Sequence, residues 1–411
     1  MIATEYCKNV FDGTHDSPKF LDNGYLLVTS KNIANRELDL TGANFISEED
    51  YNKINERSKV HQWDIFFSMI GTVGNVFLQT EKEVNYAIKN MGVFSCENED
   101  KAKWLYYYLQ SPYFKKLMNS LLSGAVQKFV PLGFLRSIDI PKYDDNKKAI
   151  VKFLSSLDDK IALNNRINAK LEQMAKRLYD YWFVQFDFPV SCHSELVSES
   201  HSDEMLNQVQ HDECAKPYKS TGGKMVWNET LKREIPEGWE VKKLVEIALV
   251  KRGTTITEKD TTKGNVKVVA GGLDFSYYHN QSNRKANCIT VSGSGENAGF
   301  VNFWREPIFA SDCSTVQCEN DIDTMLCYFA LKMQEKRFYR ISHKSAQPHI
   351  YPKDVAEIPI VVPNEAVKSK ISDFFLKSNW KIALIEKETQ KLTALRDRLL
   401  PLLMNGQVEV N

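Results

Sequence analysis

The run KIALNNRINAKLEQMAKRLYDYW begins at Lys160 and KIALIEKETQKLTALRDRLLPLL begins at Lys381, so one long polar helix is written twice, 221 residues apart. Internal duplication constrains a fold more than any single motif, because each copy must solve the same packing problem. Under this shift the apolar positions coincide: Ile150 with Ile371, Leu154 with Phe375, Ile161 with Ile382, Leu171 with Leu392, Leu178 with Leu399 and Trp182 with Leu403. Spacings of three and four place them on one helical face. Asn164 and Asn168 interrupt the first stripe, Thr389 and Arg396 the second. Polar breaks of this kind fix the register of paired helices at a cost in stability. The stripes run longer than a helix packed on one small domain needs, which predicts an antiparallel pair; the alternative is that each helix packs only on its own domain. A helix from Asp144 to Phe186 would measure about 60 Å at 1.5 Å per residue.

The duplication continues upstream. SIDIP, closing at Pro141, and VAEIP, closing at Pro359, predict short apolar strands that proline terminates ahead of each helix. GAVQKFVPLGFL (Gly124 to Leu135) and KSAQPHIYPKDV (Lys344 to Val355) are both centred on a glutamine, Gln127 or Gln347. DIFFSMIGTVGNVFL (Asp64 to Leu78) and NCITVSGSGENAGFV (Asn287 to Val301) each read as strand, Gly-rich turn, strand. The expected fold is α+β: two pseudo-symmetric mixed α/β domains, with two long antiparallel helices forming a coiled-coil-like spacer. The expected boundaries are 1–142 for the first domain, 143–188 for the central helix, 230–363 for the second domain and 364–411 for the C-terminal helix.

Residues 189–229 link the halves and carry an inserted segment, 190–216. WFVQFDFP and KPYKSTGGKMVW read as two sides of one interrupted connection. Between them lies SCHSELVSESHSDEMLNQVQHDECAK, which has no clean period. Its Cys192, His193, His201, His211 and Cys214 match no zinc spacing, so a surface insertion without metal is expected.

A chain of 411 residues allows two or three domains. Lys+Arg and Asp+Glu are both 53, so the net charge is zero. That argues against a polybasic tail but not against a local basic groove, which is what phosphate affinity depends on. No apolar run is long enough to span a membrane, and the start lacks a signal pattern. The eight cysteines include no CxxC pair and are expected as free thiols in a reducing cytoplasm. P-loop, HExxH and the Asn-Pro-Pro-aromatic run of amino-methyltransferases are all missing. GSGENAG (Gly293 to Gly299) sits between two strands rather than between strand and helix, so it lacks the context of a dinucleotide loop. No catalytic residue, metal or cofactor is assigned to this chain.

Residues suited to reading DNA are present in both halves. FDGTHDSPKF offers Thr14, His15 and Lys19, VTSKNI offers Lys31 and Asn32, the first hairpin adds Ser68 and Thr72, and Gln127 and Lys128 follow. In the second half, VKRGTTITEKD offers Arg252, Thr254 and Lys259, and DFSYYHNQSNRK offers Tyr277, Tyr278, His279 and Asn280. The second hairpin adds Ser292 and Ser294, and RISHKSAQPHI adds Lys344, Gln347 and His349. Asn and Gln pair adenine edges, Arg and Lys pair guanine, and hydroxyls serve bases or phosphates. Singly, each residue also suits a solvated loop.

The repeat, its helices and these loops together resemble the specificity subunits of type I restriction–modification enzymes. The pieces that carry the resemblance are VFDGTHDSPKFLDNGYLLVTSKNI, WFVQFDFP, GKMVWNETLKREIPEGWEVKKL, YYHNQSNRKANCITVSGSGENAGFVNFW and LTALRDRLLPLLMNGQVEV. The resemblance implies two target-recognition domains on a helical scaffold, reading two parts of an asymmetric site in double-stranded DNA. Two domains on a rigid spacer can do this because one helical turn of DNA is roughly 34–36 Å. It implies no chemistry in this chain. Two modification subunits would bring S-adenosylmethionine and methylate adenine N6. Restriction subunits would bring ATP, Mg2+ and cleavage. Lys170, Arg177, Lys391 and Arg398 are candidate docking residues, or equally charges that solvate the coil. The pattern departs from the family in two places. The lead-in REIPEGWEVKKLVEIALVKRG precedes only the second block, which suggests either a trimmed first domain or a start placed too late, and the insert splits the connection. The alternatives are a silent copy that stores recognition domains and the reader portion of a stand-alone restriction enzyme, which would need a catalytic domain that no remaining residues can build.

Overall fold

Two strands with every residue buried, DIFFS at Asp64–Ser68 and CITVS at Cys288–Ser292, organise the fold. A strand covered on both faces must lie inside a sheet, with layers above and below it. The computed structural model describes residues 1–34, 36–122, 129–191, 215–342 and 348–410. These form two compact units, Met1–Leu163 with Thr389–Asn411, and Asn164–Glu388.

Two sheets of the first unit are built from β1 (Asn9–Asp12), β2 (Tyr25–Val28), β3 (Asn44–Ile46), β4 (Asp64–Ser68), β5 (Val76–Leu78), β6 (Tyr86–Ile88) and β7 (Met91–Ser95). They make an antiparallel sheet of order β1-β7-β4-β5 and a smaller one of order β3-β2-β6, in which β2 and β6 run parallel. The helix α1 (Glu99–Tyr108) follows, with the Asn98 side chain accepting from Lys101 N at 3.0 Å as its N-cap. The long helix α2 (Asp145–Tyr179) begins in this unit.

The second unit repeats these two sheets strand for strand. Its elements are β8 (Leu249–Arg252), β9 (Val266–Val269), β10 (Tyr277–His279), β11 (Cys288–Ser292), β12 (Val301–Trp304), β13 (Ile308–Ala310) and β14 (Cys313–Gln317). The sheet orders are β8-β14-β11-β12 and β10-β9-β13, with β9 and β13 parallel. The helix α3 (Asp321–Met333) is capped by Asn320, and α4 (Glu365–Met404) is the C-terminal long helix. Even single bonds recur. Gly13 N donates to Met91 O at 2.9 Å and Gly253 N to Cys313 O at 2.8 Å. Both positions require glycine, since a Cβ would lie 2.5 Å from Ile88 O in one case and 2.0 Å from Ser311 O in the other.

The two long helices pair antiparallel within each unit. Ile150, Val151 and Leu154 of α2 share the first unit's core with Leu400 and Leu403 of α4. In the second unit Ala175 and Tyr179 share a core with Val367, Ile371 and Phe375. Two of the expected polar breaks are bonded across the pair. Arg396 meets Asp158 at 2.7 Å in the first unit, and Asn164 Nδ2 donates to Glu388 Oε2 at 2.8 Å in the second.

Two expectations need adjusting or sharpening. Pro359 opens its strand instead of ending it: Pro359–Val362 pairs with Glu240–Lys243, and a proline at the first strand position loses no ladder bond. In SIDIP only Asp139 pairs, as an isolated bridge to Ile2. The interrupted connection is closed by a short ladder, Pro189–Ser191 against Ala215–Pro217. Cys192, His193, His201, His211 and Cys214 lie outside the described residues. No helix among the described residues is long and apolar enough to cross a membrane.

Phe375 is 0% exposed, with its ring 5.4 Å from that of Phe329. Phe375→Ala is expected to cost about 3–5 kcal/mol in denaturant unfolding, whereas Thr72→Ala on an exposed turn should stay within about 0.5 kcal/mol of the parent.

Candidate nucleic-acid interface

Each large sheet gathers its loops at one end. In the first unit Gly13 bonds to Met91, Ser68 stands opposite Met91, and Lys89 N donates to Val28 O at 2.9 Å. The segments after β1, β2 and β4 and before β7 therefore open together. In the second unit Gly253 bonds to Cys313, Ser292 stands opposite Cys313, and Ser311 N donates to Val269 O at 2.7 Å. A later segment enters each cluster, through the bridges Ile70 to Phe129 and Ser294 to His349.

In the first unit His15, Lys19, Lys31 and Thr72 are exposed. The His15 ring is steered from both sides, with Nδ1 2.7 Å from Asn90 Oδ1 and Nε2 2.9 Å from Asp12 Oδ2. Arg57 reaches Asp12 at 3.5 Å, and Lys89 Nζ donates to Ser17 Oγ at 2.6 Å. Three of the residues selected from sequence face inward instead. Thr14 Oγ1 accepts from Asp16 N at 3.1 Å. Asn32 accepts from Thr29 N at 2.9 Å and donates to Asp39 O at 3.0 Å. The Ser68 hydroxyl donates to Thr72 O and accepts from Asn75 N. Such side chains satisfy loop backbone that the strands leave unpaired. Gln127 and Lys128 lie outside the described residues.

In the second unit Arg252, Thr254, Lys259, Tyr278 and Asn280 are exposed. The Ser294 hydroxyl donates to the Asp312 carboxylate, whose other oxygen lies 4.0 Å from the Arg252 guanidinium. His349 lines the same cleft and stacks beside Tyr351. The structure thus brings Arg252, Ser294 and His349 together around Asp312, a residue that sequence reasoning missed. Tyr277 donates to Ile256 O at 2.6 Å; burial first, then Glu258 and Asp260, push its phenol pKa up. His279 is buried, with Nδ1 accepting from Thr262 N at 3.1 Å, and buried Ser292 donates to Gly272 O at 3.2 Å. Lys344 and Gln347 lie outside the described residues. Asn90 and Asp312 stand at equivalent positions, one residue before β7 and β14; only a strand-level alignment of MGVFS with CSTVQ would have found them.

On the helices Lys170, Arg177, Lys391 and Arg398 are exposed. So are large apolar side chains: Leu163 is 45% exposed, Met174 52%, Leu384 54%, Leu395 43% and Trp380 67%.

Both halves match the family model described as the type I restriction modification DNA specificity domain, over residues 15–173 and 236–394. The chain belongs to this family. Each specificity domain so matched includes a recognition sheet and most of the long helix that follows it. The HindI specificity subunit of Haemophilus influenzae is 23% identical over 86% of this chain and 88% of its own length. The MjaIX specificity subunit of Methanocaldococcus jannaschii is 22% identical over 75% of this chain and 69% of its own. Among solved structures, the S subunit of a type I system from M. genitalium superposes with a TM-score of 0.53 at 16% identity, covering 98% of this chain and 95% of that one. That likeness shows a shared fold.

Removing an inward hydroxyl tests the division within the specificity domain. Ser68→Ala leaves the Asn75 N–H without its partner, and is expected to cost about 1–3 kcal/mol in urea unfolding. Thr254→Ala, on an exposed loop, should leave the unfolding midpoint unmoved.

Proposed function

We propose that this chain is the non-catalytic DNA-reading subunit of a type I restriction–modification complex. It recognises an asymmetric site of two parts in double-stranded DNA and holds two modification subunits, which methylate adenine N6 with S-adenosylmethionine. Restriction subunits, using ATP and Mg2+, cleave unmodified DNA. The observation that carries this reading is the duplication itself: one domain plan built twice, with different exposed residues on its loop-bearing end. His15, Lys19, Lys31 and Thr72 face solvent in one domain, and Arg252, Thr254, Lys259, Tyr278 and Asn280 in the other. Two different readers require two different half-sites. The buried members of the original set act in this reading as struts beneath the exposed ones.

The docking face rests on a second duplication. Under the 221-residue shift Leu163 coincides with Leu384 and Met174 with Leu395, and all four are exposed. Apolar groups at interface centres carry most association energy, while rim charges contribute little. The repeated apolar positions are therefore the contact centres, and Lys170, Arg177, Lys391 and Arg398 flank them. A face present twice accounts for two equivalent partners. Leu376, Trp380 and Leu384, spaced every four residues, extend one copy.

Co-expression with the modification subunit from the same source, followed by methylome sequencing, is expected to show an N6-methyladenine motif of two parts with a fixed gap. A stable complex without such a motif points to a silent copy. Lys259→Ala should weaken DNA binding regardless of sequence and lower the salt slope by about one unit; an unchanged slope removes Lys259 from the contacts. In native mass spectrometry, Leu163→Asp and Leu384→Asp should each remove one modification subunit, and the double variant both. Two retained subunits in the double variant would place docking elsewhere.

A further inference from the structure

Each recognition domain is tied to the long helices by one arginine that reaches an acid on both of them. In the first unit this is Arg36, in the turn between Ile33–Ala34 and Glu37–Leu38. It lies 3.2 Å from Asp397 of α4 and 3.9 Å from Asp158 of α2. Asp158 also accepts from the Tyr107 hydroxyl at 2.7 Å and from Arg396 at 2.7 Å. In the second unit the arginine is Arg305, just past β12. It bonds Glu172 of α2 at 3.0 Å, Glu386 of α4 at 2.9 Å and Asn379 Oδ1 at 2.9 Å. Asn379 donates on to Asn287 Oδ1 at 3.0 Å, and Asn287 to Asp321 at 2.8 Å.

The two networks use different residues at matching places. Asp158 and Asn379 coincide under the 221-residue shift, so each domain grips the same position of the helix that follows it. The Arg305 side chain is only 10% exposed, and burial raises the Glu386 carboxyl pKa against the pull of Arg305. Ion pairs taken out of water add little net stability, and their best-attested use is to fix one arrangement among several. A planar guanidinium with donors in three directions suits that use. The lever is short: Cys288 pairs with Trp304, so Asn287 and Arg305 stand at the base of the β11–β12 hairpin, whose turn carries Ser294.

We propose that Arg36 and Arg305 are positioning residues that fix each recognition domain's attitude on the helices, and thereby the number of base pairs allowed between the two recognised parts. This rests on the two-part reading above. Both side chains are directed at helix acids and only 20% and 10% exposed, so in this proposal neither has a part in which bases are read.

The test uses the intact complex with wild-type chain, R305K, R305Q and R36K, each followed by methylome sequencing. Lysine keeps the charge but loses the fork, so R305K should behave as R305Q does. The expected result is unchanged sequence in both parts of the motif, together with a second gap one base pair longer or shorter. Variants that methylate only the wild-type gap overturn the proposal while the two-part reading stands. Should R305Q fail to melt cooperatively, E172Q removes a single arm from a half-exposed carboxylate and is scored the same way. Wild-type chain without a two-part motif defeats the underlying reading instead. Hydrogen exchange of the DNA-free chain then decides the clamp. Faster exchange across β11 and β12 in R305K, with α3 unchanged, supports it, and identical exchange overturns it.

Discussion

The return of α4 onto α2 is the contact on which everything else depends. Leu400 and Leu403 complete the core of a unit whose other members come from the first part of the chain, among them Ile65, Phe94 and Leu154. That core is complete only with residues of the last helix, and the intervening chain is the other recognition domain. Long-range closure of this kind costs loop entropy before it returns packing energy. The polar breaks make sense in that light. An unbroken apolar stripe would allow the helices to slide by a turn, whereas Asn164 to Glu388 and Arg396 to Asp158 are polar contacts across the pair that a one-turn slide would break.

What was legible in the sequence was whatever repeats locally. The helical stripes, the two Gly-turn hairpins and the split connection all announce themselves through periods of two or 3.6 and through turn residues. The parallel pairing of β2 with β6 and of β9 with β13 was not legible, because parallel neighbours are distant in sequence and short strands carry little pattern. Nor does residue type say which way a polar side chain faces. Thr14, Asn32, Ser68, His279 and Ser292 suit a DNA groove by chemistry, yet backbone groups in their own loops claim them first. Arg305 drew no notice from sequence because its acids lie 133 and 81 residues away.

Two copies of one plan at low mutual identity show which features the plan needs. Backbone geometry persists: glycine at 13 and 253 where a strand leaves the sheet, the same sheet orders, and an asparagine cap on the helix that follows. Solvent-facing loop residues do not persist, because nothing in the core depends on them. A fold arranged this way lets the exposed loop residues change with little effect on stability.

Between core and loop lies a third set of residues, and its behaviour follows from cost. Charge withdrawn from water is expensive, so it survives only where the geometry it imposes matters. Arg396 and Arg305, each about one-tenth exposed, are such charges, paired with the partly exposed Asp158 and Glu386, and all four lie where a recognition domain or a helix meets a helix. The core makes each domain stable, and in the proposed reading the exposed loops face the DNA. Neither fixes where a stable domain stands on its helix, since apolar surfaces tolerate small rotations that a guanidinium bonded in three directions does not. Under the proposed two-part reading, that intermediate polar layer is where the gap between the parts is measured.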